Sequence, residues 1–161
     1  MVQLNPTKKI VRVMQEPNPP LYCMFMEFPD LKSLNIPARR QRLESIKEEI
    51  EEQIYLLEEL KEPEILRVEG YEVHQDCAYI VHERVDNILS ESMQKLSYPQ
   101  KISLFYDVFK GIKAIHGHKM VHRGIRPSII GICEQEAQLR AKITNFSKAK
   151  SVNKYDFVQG E

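Results

Sequence analysis

Apolar positions in the first part of the chain come in short alternating bursts. Lys8-Lys9-Ile10-Val11-Arg12-Val13-Met14 alternates and is β-branched, which predicts a strand. Pro17, Pro19 and Pro20 form a turn, and residues 21–26 predict its hairpin partner. Residues 29–37 read as a loop. The period then lengthens. Residues 38–61 lack Gly and Pro and place Leu43, Ile46, Ile50, Gln53, Leu57 and Leu60 at alternating spacings of three and four. Lys47–Glu51 and Arg40–Glu44 stand one turn apart on the charged faces. This is a long helix whose stripe packs on a sheet. Ile54 and Leu56 widen the apolar surface, so a partner helix is the second reading. Residues 65–73 and 78–85 predict two strands around the polar turn His74-Gln75-Asp76, and residues 88–96 a short helix. Ser97-Tyr98-Pro99 opens a second long helix, with Ser97 as cap, Pro99 in the first turn and apolar residues through Ile115. Residues 122–127 read as a loop, 129–133 and 139–143 as strands, and the last fourteen residues as extended or disordered.

At 161 residues the chain is one domain's worth of sequence, long enough to bury a core. Lys plus Arg and Asp plus Glu each number 23, and this balance argues against a nucleic-acid or acidic-lipid surface. The three cysteines, Cys23, Cys77 and Cys133, are far apart and include no C-x-x-C pair. That favours a reducing compartment, cytoplasmic or nuclear, over a disulfide framework. No apolar run reaches the roughly 18 residues of a membrane span, and the N-terminus does not read as a signal peptide.

The candidate chemistry lies late in the chain. His122-Arg123-Gly124-Ile125-Arg126-Pro127, then Lys142-Ile143-Thr144-Asn145-Phe146-Ser147, resembles the catalytic core of a protein kinase. That family reads H-R-D-L-K-P-x-N, then a short hairpin, then a strand running into D-F-G. Residues 115–123 are similar to the family's L-H-x-x-x-I-V-H-R-D approach, and residues 78–85 to its fifth strand and hinge. The resemblance implies an α+β fold. It would have a protein kinase-like small lobe, an antiparallel sheet plus a long αC-like helix, in residues 1–86. A partial, mainly helical large lobe would occupy residues 87–161.

It also implies that the working residues are gone. The catalytic-base aspartate falls on Gly124 and the metal-binding asparagine on Ile129, while the D-F-G aspartate and glycine fall on Asn145 and Ser147. Tyr22-Cys23-Met24-Phe25 is similar to the V-A-I-K strand, which puts Phe25 where the phosphate-contacting lysine belongs. The lysine's partner glutamate falls on Gln53, with Glu51 and Glu52 beside it. Residues 1–20 hold no glycine, so the Gly-rich loop is absent or severely altered. Phosphoryl transfer needs phosphates cradled, metal held and the acceptor hydroxyl oriented. The residues at these positions do none of that.

What the resemblance retains is architectural. Leu57, Val68, His122 and Phe146 fall on the hydrophobic regulatory spine. Cys23, His82, Glu83 and Val85 frame a vestigial nucleotide pocket with weak or no ATP binding, His82 as gatekeeper. Arg123 either pairs with a phosphorylated segment or makes a structural hydrogen bond to loop carbonyls. His116, His118 and His122 give a superficial zinc spacing without a fourth ligand nearby, so no metal is expected. The resemblance stops soon after Phe146, implying a domain truncated after the start of the activation segment. Phe105, Val108, Phe109, Ile112 and Ile115 would then be an uncovered apolar face. The function implied is a pseudokinase, a non-catalytic scaffold or allosteric regulatory module without cofactor, which forms a dimer or docks a protein partner. That partner would be a true kinase or a second copy. The alternative is an atypical kinase, or an ATP-binding sensor, with relocated residues.

Overall fold

The computed structural model describes residues 7–12, 22–74 and 77–152. The chain divides into two units, residues 1–54 with 67–84, and residues 55–66 with 85–161.

The first unit is built on an antiparallel sheet of β1 (Thr7–Arg12), β2 (Tyr22–Glu27), β3 (Val68–His74) and β4 (Cys77–His82), in the order β1-β2-β4-β3. A 3-10 turn at Pro29–Ser33 occupies part of the predicted loop, and α1 (Ile36–Leu60) follows. The helix starts two residues before the predicted position. Asn35 Oδ1 accepts the Ala38 N–H at 3.0 Å, and Pro37 sits in the first turn, where its missing N–H costs nothing. Ile46, Ile50 and Ile54 are buried with Phe28, Leu31, Ala78 and Ile80, and Val68 packs on this core. Each such isoleucine contributes about 1.5–3 kcal/mol by leaving water. Ile54 and Leu56 are buried, which corrects the expectation that they widen an open surface. Glu44, Glu48, Glu52 and Glu59 are among the exposed residues of α1.

The division between units runs through α1. Leu56 and Leu60 belong to the second unit's core with Ile65, Ile143 and Phe146, so the helix is not wholly a small-lobe element. This unit contains α2 (Leu89–Ser92), α3 (Tyr98–Gly117), and a sheet of β5 (Asn87–Ile88), β7 (Ile130–Gln135) and β8 (Gln138–Ile143) in the order β5-β7-β8. A two-residue pairing of β6 (Met120–Val121) with β9 (Lys150–Ser151) completes it. The predicted helix at 88–96 is reduced to α2, and the predicted strand at 65–73 begins at Val68, preceded by a lone parallel bridge from Ile65 to Ile143. α3 opens with a capping box. Ser97 Oγ accepts from the Gln100 N–H and Gln100 Oε1 accepts from the Ser97 N–H at 2.8 Å.

α3 buries Leu104, Asp107, Val108, Gly111 and Ile115. Val108 and Ile115 are therefore core residues rather than part of an uncovered face, and Ile112 is half-buried. Phe105 and Phe109 do face solvent, at 38% and 67% exposure. A charge network explains which stripe is buried. Asp107, only 3% exposed, receives Arg140 Nε at 2.9 Å, Arg140 Nη2 at 3.1 Å and the Ala141 N–H at 3.1 Å. Glu64 Oε1 lies 3.5 Å from Arg140 Nη2 and 3.6 Å from Lys110 Nζ. Buried Lys142 donates to the Pro63 carbonyl at 2.7 Å. These bonds draw residues 61–66 against α3. Gly111 makes that approach possible, since a Cβ there would stand 2.8 Å from Ile143 Cδ1 and 3.3 Å from the Glu64 carbonyl oxygen. Among the described residues, no helix is long and apolar enough to cross a membrane.

Candidate functional site

β6 delivers His122 into the second unit's core. Its Nε2 lies 3.1 Å from the Thr144 carbonyl oxygen, and because a carbonyl only accepts, Nε2 carries the proton. The ring meets Phe146 edge-on at 4.8 Å and 63°. Nδ1 is buried without a hydrogen-bond partner among the described residues. Burial pushes the His122 pKa down, opposed by the Thr144 carbonyl and the residue's own backbone. Arg123 takes a left-handed backbone, φ 56°, and its Nε donates to the Lys148 carbonyl at 2.6 Å. Of the two readings of Arg123, this contact is the structural one.

The positions assigned to chemistry are otherwise filled. A Cβ on Gly124 would stand 3.6 Å from His122 Nδ1, an ordinary contact, so crowding does not demand glycine there. Ile129 is buried, and its carbonyl accepts both the Thr144 N–H at 3.0 Å and the Thr144 hydroxyl at 2.8 Å. Asn145, also left-handed at φ 58°, turns its Oδ1 onto Ser147, accepting the hydroxyl at 2.7 Å and the N–H at 3.4 Å. The side chain closes a local turn. Arg126 Nε donates to Ser128 Oγ at 2.9 Å. An alkyl group in the core and a neutral amide engaged by a serine do not fit a divalent cation, which prefers charged oxygens. No cluster of three His, Cys, Asp or Glu able to hold a metal occurs among the described residues. His118 Nδ1 instead lies 3.0 Å from the Ala114 carbonyl.

In the first unit, backbone register sets Phe25 opposite Tyr79 and Cys23 opposite Val81. The side chains of both lie outside the described residues, as do residues 1–6 and 13–20 of the glycine-free stretch at 1–20. Gln53 Nε2 donates back to the Glu49 carbonyl of its own helix at 3.1 Å. Its neighbour Glu51 accepts from the Tyr71 hydroxyl at 3.0 Å and pairs with Lys47 at 3.8 Å. His82 is buried, with Nδ1 2.6 Å from the Glu83 carbonyl oxygen. The Glu83 N–H donates to the Arg67 carbonyl at 3.0 Å, and its carboxylate accepts the Arg67 N–H at 2.7 Å. The backbone groups of Glu83 are thus engaged within its own unit. Val85, in the second unit, packs over Gly131, where a Cβ would come 2.8 Å from its Cγ1. Of the spine residues, Leu57, His122 and Phe146 pack in the second unit and Val68 in the first.

Burial also lowers the His82 pKa, against the Glu83 carbonyl and carboxylate. Both histidines therefore have folded values below the ordinary one near 6.5. Between that value and the folded values the unfolded chain binds more protons, so stability is full above about pH 6.5 and is lost as pH falls below it. The expected result is a melting temperature that drops from about pH 7 to about pH 5.5, with a slope flattened by His82→Leu combined with His122→Phe. An unchanged slope in that double variant would refute the assignment.

The residues that sequence patterning missed are Asp107, Arg140, Glu64 and Lys142. Asp107 carries the one available signal, a carboxylate at helical spacing within the apolar stripe Leu104, Val108, Gly111 and Ile115, which requires a buried partner.

Residues 21–159 match the protein kinase domain family. The chain is 27% identical over 113 residues to the probable serine/threonine-protein kinase gdt2 of Dictyostelium discoideum, covering 66% of this chain and 7% of that protein. It is 26% identical over 137 residues to mitogen-activated protein kinase kinase kinase 1a of Physcomitrium patens, covering 80% and 17%. The CTD kinase subunit alpha of Saccharomyces cerevisiae is 29% identical over 130 residues, covering 76% and 23%. The chain thus spans less than a quarter of the length of these curated relatives, each of which is named as a kinase or a kinase subunit. By the match over residues 21–159 and by its antiparallel sheet, long helix and loop geometry, this chain belongs to the protein kinase domain family.

Proposed function

We propose that this domain is a pseudokinase module, catalytically inactive, which docks to a protein partner, biases that partner's conformation and binds ATP weakly or not at all. The observation that carries the reading is the Asn145–Ser147 turn. The residue at the metal-carboxylate position is uncharged, and its oxygen is engaged by the neighbouring serine hydroxyl at 2.7 Å. Gly124 lacks a side chain to accept the substrate hydroxyl's proton, and Ile129 turns an alkyl group into the core. A positioned acid–base group alone contributes about 10²–10⁴-fold to rate, so losing it together with the metal ligands removes the machinery rather than slowing it.

The test is incubation with γ-labelled ATP and magnesium or manganese. No label should enter the protein or a generic basic protein substrate, and ATP should leave the melting temperature unchanged. Label incorporation that disappears on Glu51→Gln or Glu52→Gln would overturn the reading and establish a relocated acid.

A further inference from the structure

The N-terminal part of α1 is held by very little. None of residues 36–45 is buried, and the first buried residue of the helix is Ile46. Ile36 stands 83% exposed. The first turn carries no acid, and Arg39 and Arg40 put positive charge near the positive end of the helix dipole. A helical segment of about ten residues without an apolar anchor is marginal in water, so this one opens locally at small cost.

One cluster of side chains fastens that segment to the anchored part. Arg42 Nη1 donates to Ser45 Oγ and to Glu49 Oε1, both at 3.0 Å, and Ser45 Oγ donates to Glu49 Oε1 at 3.3 Å. Arg42 and Ser45 precede Ile46, and Glu49 follows it. Ser45 is half-buried and lines an open hollow of about 720 Å³ with Arg40, Gln41, Glu44 and Glu48, which leaves room for a larger group on its hydroxyl. Arg40 and Arg42 stand five and three positions before Ser45, and no other serine or threonine of the sequence has that pair. Protein kinases select acceptors by flanking charge, and guanidinium groups fix an opened segment in an acidic cleft through paired hydrogen bonds.

We propose that Ser45 is a phosphorylation site for an arginine-directed serine kinase, and that the phosphate unfastens residues 36–45 from Glu49. In the transfer, Ser45 Oγ forms a bond to the γ-phosphorus of ATP as the bond from that phosphorus to the β–γ bridging oxygen breaks. ADP leaves, and the hydroxyl proton passes to the modifying kinase's carboxylate base. The product carries a charge of about −1.5 to −2 and three acceptor oxygens. It displaces Glu49 from Arg42, and the new pair lies wholly inside the loosely held segment. Glu48 and Glu49, three and four positions on, repel the phosphate. Ser45 is too far from the first turn for the helix dipole to compensate. The site goes beyond the pseudokinase reading and does not depend on it.

The experiment incubates the full chain with labelled ATP and a purified arginine-directed serine kinase, and maps the label by mass spectrometry. One phosphate is expected on Ser45. It should be absent in Ser45→Ala, a substitution that favours the helix and keeps the fold. Arg40→Gln, which leaves the Arg42–Ser45–Glu49 cluster untouched, should slow labelling at least roughly tenfold. Amide hydrogen exchange over residues 36–45 should be about two- to fivefold faster in the phosphorylated chain, the scale of a lost surface ion pair, with residues 50–54 unchanged. No label, label on other residues only, or a rate indifferent to Arg40→Gln overturns the site. Unchanged or slower exchange overturns the unfastening. A reaction without added kinase separates the two readings: label there counts against catalytic inactivity, whereas only label from the added kinase bears on Ser45.

Discussion

Phe146→Ala is expected to cost about 3–5 kcal/mol, the range for removing a large aromatic side chain from a well-packed core. Phe146 is 1% exposed and lies in the second unit's core with Leu60, Ile65 and Ile143. Its ring also supports the edge of His122, whose hydrogen bond to Thr144 holds the loop to the strand end. Alanine would leave a cavity and a histidine without its stacking partner. In a domain of this size the melting temperature should fall by roughly 10 °C. Phe146→Leu, which keeps most of the volume, should fall by much less. A shift of under about 2 °C for the alanine variant would show that the ring is not structural.

Arg140→Met is expected to cost about 3–5 kcal/mol, because breaking a buried ion pair from one side strands the other charge. Asp107 would keep only the Ala141 N–H at 3.1 Å, in a helix face otherwise made of Leu104, Val108, Gly111 and Ile115. The Arg140 side chain is 33% exposed, so water offsets part of the loss and the lower end of the range is expected. The double variant Asp107→Leu with Arg140→Met should recover most of the stability, since a packed apolar pair replaces a buried ionic one at little cost. Chemical denaturation of the four proteins gives the coupling directly. Additive losses in the double variant would mean that the two residues act separately.

Much of the fold was legible because its signals are local. Ser97 and Pro99 announce the start of α3 within three positions. The stripe Ile46, Ile50 and Leu60 announces α1, although Pro37 was read as outside the helix when it lies in the first turn. The loop motif located His122 and Phe146 together, and they touch. What was not legible depends on partners far apart in sequence. α3 carries two adjacent apolar stripes, and periodicity alone does not say which is buried. Arg140, 33 positions from Asp107, selects the stripe. Strands of two residues such as β6 and β9 have no period to read, and their pairing joins Met120 to Ser151.

The two units are interleaved along the chain, and this sets an order of events at the ribosome. Leu56, Leu60 and Ile65 emerge well before the strands that bury them, because the residues of the first unit from 67 to 84 are synthesised in between. The contact from Lys142 to the Pro63 carbonyl closes a loop of 79 positions. The nascent chain can therefore assemble its first sheet while the end of α1 still exposes leucines. The second core condenses around that end only once β8 has been made. During that interval the helix end is a stretch of apolar surface open to chaperones.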